Sequence, residues 1–250
     1  MDYSTELNTR PRPPASSFTY FWLIFALSQA LGVAFVVMLG VWLYKYQKGF
    51  AWTENPQVEF NYHPLFMVMG LVFMYGEGIL VYRVFRNQKK IYTKVVHASV
   101  QAIAVIFIIV GLKAVFDSHN LVQYNFIANL YSIHSWLGLA TIILFGLQYI
   151  FGFVAFMYPK LGQNGREMLM PLHRYWGVAV YGLAIATSLM GMVEKIIFSV
   201  EDYSKKGKEA VLVNFICLVM VSAGLCVVYL VCRPEYKRIP LPEEQAVNEK

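Results

Sequence analysis

Charged side chains are missing from six long stretches of the chain, at 13–44, 60–76, 95–112, 118–159, 175–193 and 210–232. A helix needs about 20 apolar residues to cross the hydrocarbon core of a bilayer. The stretch 118–159 is too long for one crossing and reads as a short polar loop followed by a span. The pattern therefore predicts an all-α integral membrane protein with six transmembrane helices, near 18–44, 61–83, 93–116, 130–157, 171–197 and 210–232. The first apolar run is too long for a signal-peptide core and lacks a small-residue cleavage site, so it is expected to be retained as a span. The segments outside the spans are short. The organisation expected is an N-terminal segment 1–17, one six-helix domain 18–232 and a polar, Pro-containing tail 233–250.

Composition agrees: 58% of the 250 residues are apolar and 14% charged, against roughly 25% charged in soluble proteins. This excludes a disordered chain, a nucleic-acid-binding domain and an ordinary cytosolic globule. The net charge of +6 matters less than its sidedness. Six spans put both termini on one side. That side carries Arg10, Arg12, Arg83, Arg86, Lys89, Lys90, Lys94, Lys160, Arg166, Arg174, Arg233, Lys237, Arg238 and Lys250, 14 cations against 7 on the other. The excess of Lys and Arg places both termini in the cytosol. The three cysteines, Cys217, Cys226 and Cys232, form no CxxC or CxxCH motif and read as small apolar residues of the last span.

Four of the five histidines lie inside predicted spans: His63, His97, His134 and His173. Ionisable groups in a bilayer are costly, and four in consecutive spans point to function. Spans two and four begin at the outer face, with His63 and His134 near their starts. Spans three and five begin at the cytosolic face, with His97 and His173 near theirs. The histidines thus form two pairs at two depths. Two imidazoles facing each other are what a six-coordinate haem iron requires, whereas zinc needs three or four protein ligands. Gly138 and Gly177 each follow a histidine by four residues, in the like strings HSWLG and HRYWG, and Gly70 follows His63 by seven. Glycine on the ligand face leaves room for a flat macrocycle, or for plain helix packing. Two haems at two depths would make a transmembrane electron path.

At the cytosolic mouth, Lys90 and Lys94 precede His97 by seven and three residues and share its face if the helix reaches back that far. Arg166 precedes His173 by seven, although Pro171 is expected to start its helix and leave Arg166 in the loop. These cations suit an anionic reductant or the haem propionates. On the outer side, His119 and Asn120 lie in a short loop and suit a metal ion or an organic substrate. Glu194 is expected near the outer end of span five, at the outer haem or paired with Lys195 or Lys113. Glu77 lies inside span two and is expected either to hydrogen-bond the surroundings of the inner haem or to stay protonated.

These residues sit in strings that resemble the cytochrome b561 family, the transmembrane ascorbate-dependent reductases: FNYHP at 60–64, LVYRVFRNQKK at 80–90, TKVVH at 93–97, ANLYSIHSW at 128–136, LMPLH at 169–173, SLMGMVEK at 188–195 and RPEYKR at 233–238. The resemblance covers about 20–238. It implies six helices, the inner four forming a haem-binding bundle, and two non-covalent b haems. His63 and His134 would ligate the outer haem, and His97 and His173 the inner one. It implies ascorbate at Lys90, Lys94 and Arg166. Arg83, Lys90 and Lys237 would neighbour the inner haem, and Asn129, Tyr131, Ser132 and Glu194 the outer one. His119 and Asn120 would form the outer substrate or metal site. The implied acceptor is monodehydroascorbate or a ferric or cupric ion. The implied state is a homodimer in the plasma membrane or an endosomal, lysosomal or secretory-vesicle membrane. Two readings compete with an electron-transferring oxidoreductase. One is a haem-free proton or solute transporter using the histidines as a relay, and the other a haem-carrying anchor subunit of a larger complex.

Overall fold

The structure, a computed structural model, describes residues 15–122, 127–201, 203–241 and 244. Arg10, Arg12 and Lys250, with most of the segment 1–17, lie outside the described residues. Six helices are long and apolar enough to cross a membrane. They are α1 (Ala15–Lys45), α2 (Pro56–Val84), α3 (Lys90–Asn120), α4 (Ile133–Phe156), α5 (Gln163–Ser199) and α6 (Lys208–Cys232). No strand occurs among the described residues.

The helices stand as three antiparallel pairs in space: α1 with α6, α2 with α3, and α4 with α5. A bilayer offers no hydrophobic drive between helices, so close packing and hydrogen bonds hold the bundle. Phe35, Leu39, Trp42 and Leu43 of α1 interlock with Val213, Ile216, Met220 and Ala223 of α6. The Trp42 indole N–H and the Gln47 amide both donate to Glu209, each at 2.8 Å. Centrally, Tyr75 stands edge-on to Phe145 and Tyr181, with ring centres 4.8 and 5.7 Å away. Its hydroxyl donates to the Gly177 carbonyl at 2.9 Å and so ties α2 to α5. Outward positions remain apolar: Ile150, Leu218 and Leu225 are 57–65% exposed, as a lipid-facing surface requires.

The spans fall where the charge pattern put them, with four departures. α3 runs on to Asn120, so His119 and Asn120 stand in its last turn rather than in a loop. α2 is not uniform: it is α-helical over Tyr62–Met67, π-helical over Val68–Met74 and α-helical again over Tyr75–Val84. α4 starts at Ile133 because Ser132 and Ser135 exchange side-chain and backbone hydrogen bonds as a capping box. α5 starts at Gln163, so Pro171 lies inside the helix and Arg166 stands in its first turn rather than in a loop. Proline frees the carbonyl four residues before it, here that of Glu167, an exposed residue whose carbonyl water can serve.

The connections are pinned by single polar side chains. The Asn61 amide donates to the carbonyls of Gln47 and Gly49, at 2.6 and 2.7 Å, folding the α1–α2 loop against α2. The tail after α6 folds back on the same end of the bundle. Tyr236 is buried edge-on to Phe21, 5.1 Å between ring centres.

Candidate functional site

The four span histidines meet in two pairs. His63 of α2 faces His134 of α4, and His97 of α3 faces His173 of α5, with ring centres 6.2 Å apart in each pair. The His97–His173 pair lies toward the end of the bundle where α1 begins and α6 ends, and the other pair toward the far end. A metal–imidazole bond of roughly 2 Å and a ring radius of about 1.1 Å would put two ring centres about 6 Å apart across one metal atom. Both pairs have that spacing. Among the described residues no three His, Cys, Asp or Glu side chains gather into a metal site. Each level therefore offers two nitrogens, the axial set of a haem iron whose remaining ligands come from a macrocycle.

Backbone carbonyls orient the rings. Nδ1 of His63 donates to Gly111 at 3.1 Å, Nδ1 of His97 to Gly78 at 2.7 Å, and Nδ1 of His134 to Thr187 at 3.0 Å. A protonated Nδ1 leaves Nε2 with a lone pair for a metal. The arrangement repeats in reverse. α2 contributes a histidine at one end and an accepting glycine carbonyl at the other, and α3 does the same in the opposite direction. Met67, four residues after His63, packs on Gly111. Gln101, four residues after His97, packs on Gly78. In α4 and α5 each histidine is followed 18 residues later by the glycine that the opposing histidine rests on. A Cβ on Gly191 would lie 2.6 Å from His134 Cε1, and one on Gly152 2.9 Å from His173 Cε1. Gly138 faces Thr187, and Gly177 faces Gln148, both at 3.5 Å. The two sites are thus built alike and differ in the residues around them.

A cleft opens at the His97–His173 pair, lined by both histidines, Tyr82, Lys94, Gln101 and Phe156 among others. α3 begins at Lys90, so Lys90, Lys94 and His97 share a helix. Lys94 Nζ donates to the Phe156 carbonyl at 2.8 Å. Arg166 donates to the Leu161 carbonyl at the start of α5. Arg83 reaches the Val231 carbonyl on α6. Lys237 closes the turn Pro234–Tyr236, its N–H on the Pro234 carbonyl at 3.1 Å. The tail also reaches this mouth. Glu244 accepts from the Lys90 backbone N–H at 2.8 Å and from Arg238 at 2.7 Å. Arg238 in turn donates to the Gln88 carbonyl at 2.8 Å. Burial would raise the Glu244 carboxyl, but these bonds and that from the Leu241 N–H hold it below the usual carboxylate range.

At the far end, Glu194 takes hydrogen bonds from Tyr131 and from Ser132, the latter at 3.0 Å, rather than pairing with Lys195 or Lys113. Hydroxyl donors at the start of α4 reach it first. Burial and the Glu194 carboxylate push the Tyr131 hydroxyl up to about 12, so it stays a donor. Asn129 links His119 and Asn120, at 3.1 and 2.9 Å, and gathers the expected outer residues into one cluster. Lys113 bridges Asp117 and the wholly buried Glu59, a triad the sequence did not suggest. Glu77 does not turn toward the histidines. It accepts from Gln29 of α1 at 2.7 Å, because the helical stretch of α2 beyond the π-turn presents it to α1.

The family model of eukaryotic cytochrome b561 matches residues 62–199, which include all four histidines. The chain belongs to the cytochrome b561 family. It is 40% identical over 224 residues to the human transmembrane ascorbate-dependent reductase CYB561, covering 89% of this chain and 87% of that protein. It is 38% identical over 240 residues to the putative transmembrane ascorbate-dependent reductase CYB561 homolog of Caenorhabditis elegans, covering 93% and 90%. A probable ascorbate-specific transmembrane electron transporter 1 of Oryza sativa is 40% identical over 234 residues, covering 93% and 95%.

Sequence reasoning missed the residues that pack on and orient the four histidines. Gly152 and Gly191 carry a visible signal, the equal offset of 18 from the histidines of their own helices. Gly78, Gly111, Gln101 and Gln148 carry none that a single helix reveals, because their partners lie on a neighbouring helix.

Proposed function

We propose that this protein carries electrons across a membrane from cytosolic ascorbate to an acceptor on the other side, monodehydroascorbate or a ferric or cupric ion. Two b haems would serve, one held by His97 and His173 near the cytosol and one by His63 and His134 near the opposite face. The observation that carries the reading is the pair of histidine couples with the same 6.2 Å spacing, at opposite ends of the four helices α2–α5. The relatives' printed names, which specify ascorbate, support the donor. The excess of Lys and Arg at the termini supports the orientation.

When bound, each haem would be held by one histidine pair and would supply a one-electron carrier. The chain's own residues do the rest. Carbonyls of Gly78, Gly111 and Thr187 hold the Nδ1 protons, keeping Nε2 free as ligand. Lys94 lines the His97–His173 cleft, and with Lys90 and Arg166 it gives that mouth the positive charge an ascorbate anion needs. Arg83 and Lys237 border the same end. At the other mouth Tyr131, Ser132 and Glu194 flank the His63–His134 site, with Asn129 between it and His119 and Asn120, which receive the acceptor. The working form is a homodimer in the plasma membrane or in an endosomal, lysosomal or secretory-vesicle membrane.

The test is haem content and reduction by ascorbate in purified protein. Parent protein is expected to hold two b haems per chain, both reducible by ascorbate. His97→Ala should lose one haem and most ascorbate reduction. His63→Ala should lose the other and keep reduction of the remaining one. Folded parent protein without haem would overturn the reading.

A further inference from the structure

The likeness of the two histidine sites exposes one difference that nothing in the family reading assigns. At the His63 site the residue one turn beyond the ligand is Met67, packed on the glycine whose carbonyl orients His63. At the His97 site the same place is held by Gln101, packed on Gly78, whose carbonyl orients His97. Gln101 is 5% exposed and lines the His97–His173 cleft. Its Oε1 is buried without a hydrogen-bond partner. A neighbouring amide, Gln148, donates instead to the His173 carbonyl at 2.6 Å. Gln101 is thus a buried polar group with unmet hydrogen-bonding capacity, which costs stability unless it serves something.

Position shows what it can serve. Gln101 follows His97 by four residues, about 6 Å farther along α3 toward the level of the other histidine pair. An amide beside a redox centre that changes charge by one unit favours one oxidation state over the other. In a dry bundle that dipole is little screened. Met67 has no such dipole. Two centres with like histidine pairs, each with one ring held by a glycine carbonyl, would then be set apart in reduction potential by this exchange.

We infer that Gln101 is a positioning residue for the cofactor between His97 and His173, acting through its amide to set that centre's reduction potential apart from that of its counterpart beside Met67. The inference rests on the two-haem reading above.

The test is a redox titration of the purified holoprotein, with haem counted per chain. Gln101→Met makes the two sites alike at this place. It is expected to keep two haems and to move one midpoint toward the other by about 59 mV, a tenfold change in a one-electron equilibrium. Met67→Gln should move the other midpoint and also narrow the gap. Titration in a His63→Ala background, which leaves only the His97–His173 centre, should show the Gln101→Met shift undiminished. Two retained haems with unmoved midpoints, or a widened gap, would overturn the role of Gln101 and leave the two-haem reading standing. Loss of one haem in both Gln101→Met and Gln101→Leu would make the residue merely structural and also overturn it. A parent protein with fewer than two haems would instead defeat the reading beneath it.

Discussion

Each histidine ring is fixed by a carbonyl at Nδ1 or a glycine against Cε1, and His134 by both. Gly191 is the tighter contact, since a Cβ there would lie 2.6–3.1 Å from three ring atoms of His134. No flexible chain end can yield at that point, because the obstacle is the imidazole itself. Gly191→Ala is therefore expected to displace His134 and Gly152→Ala to displace His173. Each should halve the haem count, measured as the pyridine haemochrome, while the helical circular dichroism stays unchanged. A full haem complement in both variants would show that the glycines serve only helix packing. The histidines were legible in the sequence because an ionisable residue in an apolar run is conspicuous. Glu59 was not, because it lies just outside the uncharged run and reads as a loop residue. Only the fold shows it buried with one oxygen on Lys113 and the other without a partner. Glu77 was conspicuous for the same reason as the histidines, and its place in the sequence did not reveal that Gln29 would claim it.

The elements were largely readable, since six crossings follow from where charge is absent. Their ends were less so, because caps and prolines act through a few local bonds. Pro171 is a good helix starter by propensity, yet α5 runs through it from Gln163. The tail is the other element whose place was hidden. Its anchor is a handful of bonds converging on Glu244 and Arg238, residues that look like any solvated pair in a polar stretch. Those bonds lower the Glu244 carboxyl from its ordinary 4.5. A lowered carboxyl contributes its stabilisation above the unfolded value and loses it as pH falls through the folded one. Docking of 233–241 through Glu244 should therefore hold at pH 7 and weaken only below about pH 4.5. Glu244→Gln should loosen the tail already at pH 7. Hydrogen exchange across 233–241 would read both effects, and equal protection in the variant would remove Glu244 as the anchor.

For the molecule as a whole, cationic side chains at one end and hydroxyl and amide groups at the other make the two mouths chemically unlike. In vesicles of sided orientation, ascorbate supplied on the side of the termini should reduce the protein, and ascorbate on the far side should do so poorly. Lys90→Ala with Lys94→Ala should raise the half-saturating ascorbate concentration on the order of tenfold, equivalent to about 1.4 kcal/mol of lost anion binding. An unchanged value would leave these lysines as orienting charges only. The sidedness of charge was plain in the sequence. The reversed likeness of the two sites was not, because it pairs residues across helices, and because the spacing in α2 differs by one from that in α3. Gly78 comes 15 residues after His63, whereas Gly111 comes 14 after His97. At about 100° per residue that surplus would turn one end of α2 away from its partner. The wide turn Val68–Met74 absorbs it, as a dislocation absorbs an extra row in a crystal. A dislocation fixes how many rows are surplus and leaves open where the surplus sits. Sliding it along α2 would rotate only the residues it passes, among them Gly70 and Phe73, and leave both ligand ends in phase. A single-residue deletion within this stretch is accordingly the one length change in α2 that the helix can take up by becoming more regular, with both of its ends still facing their partners.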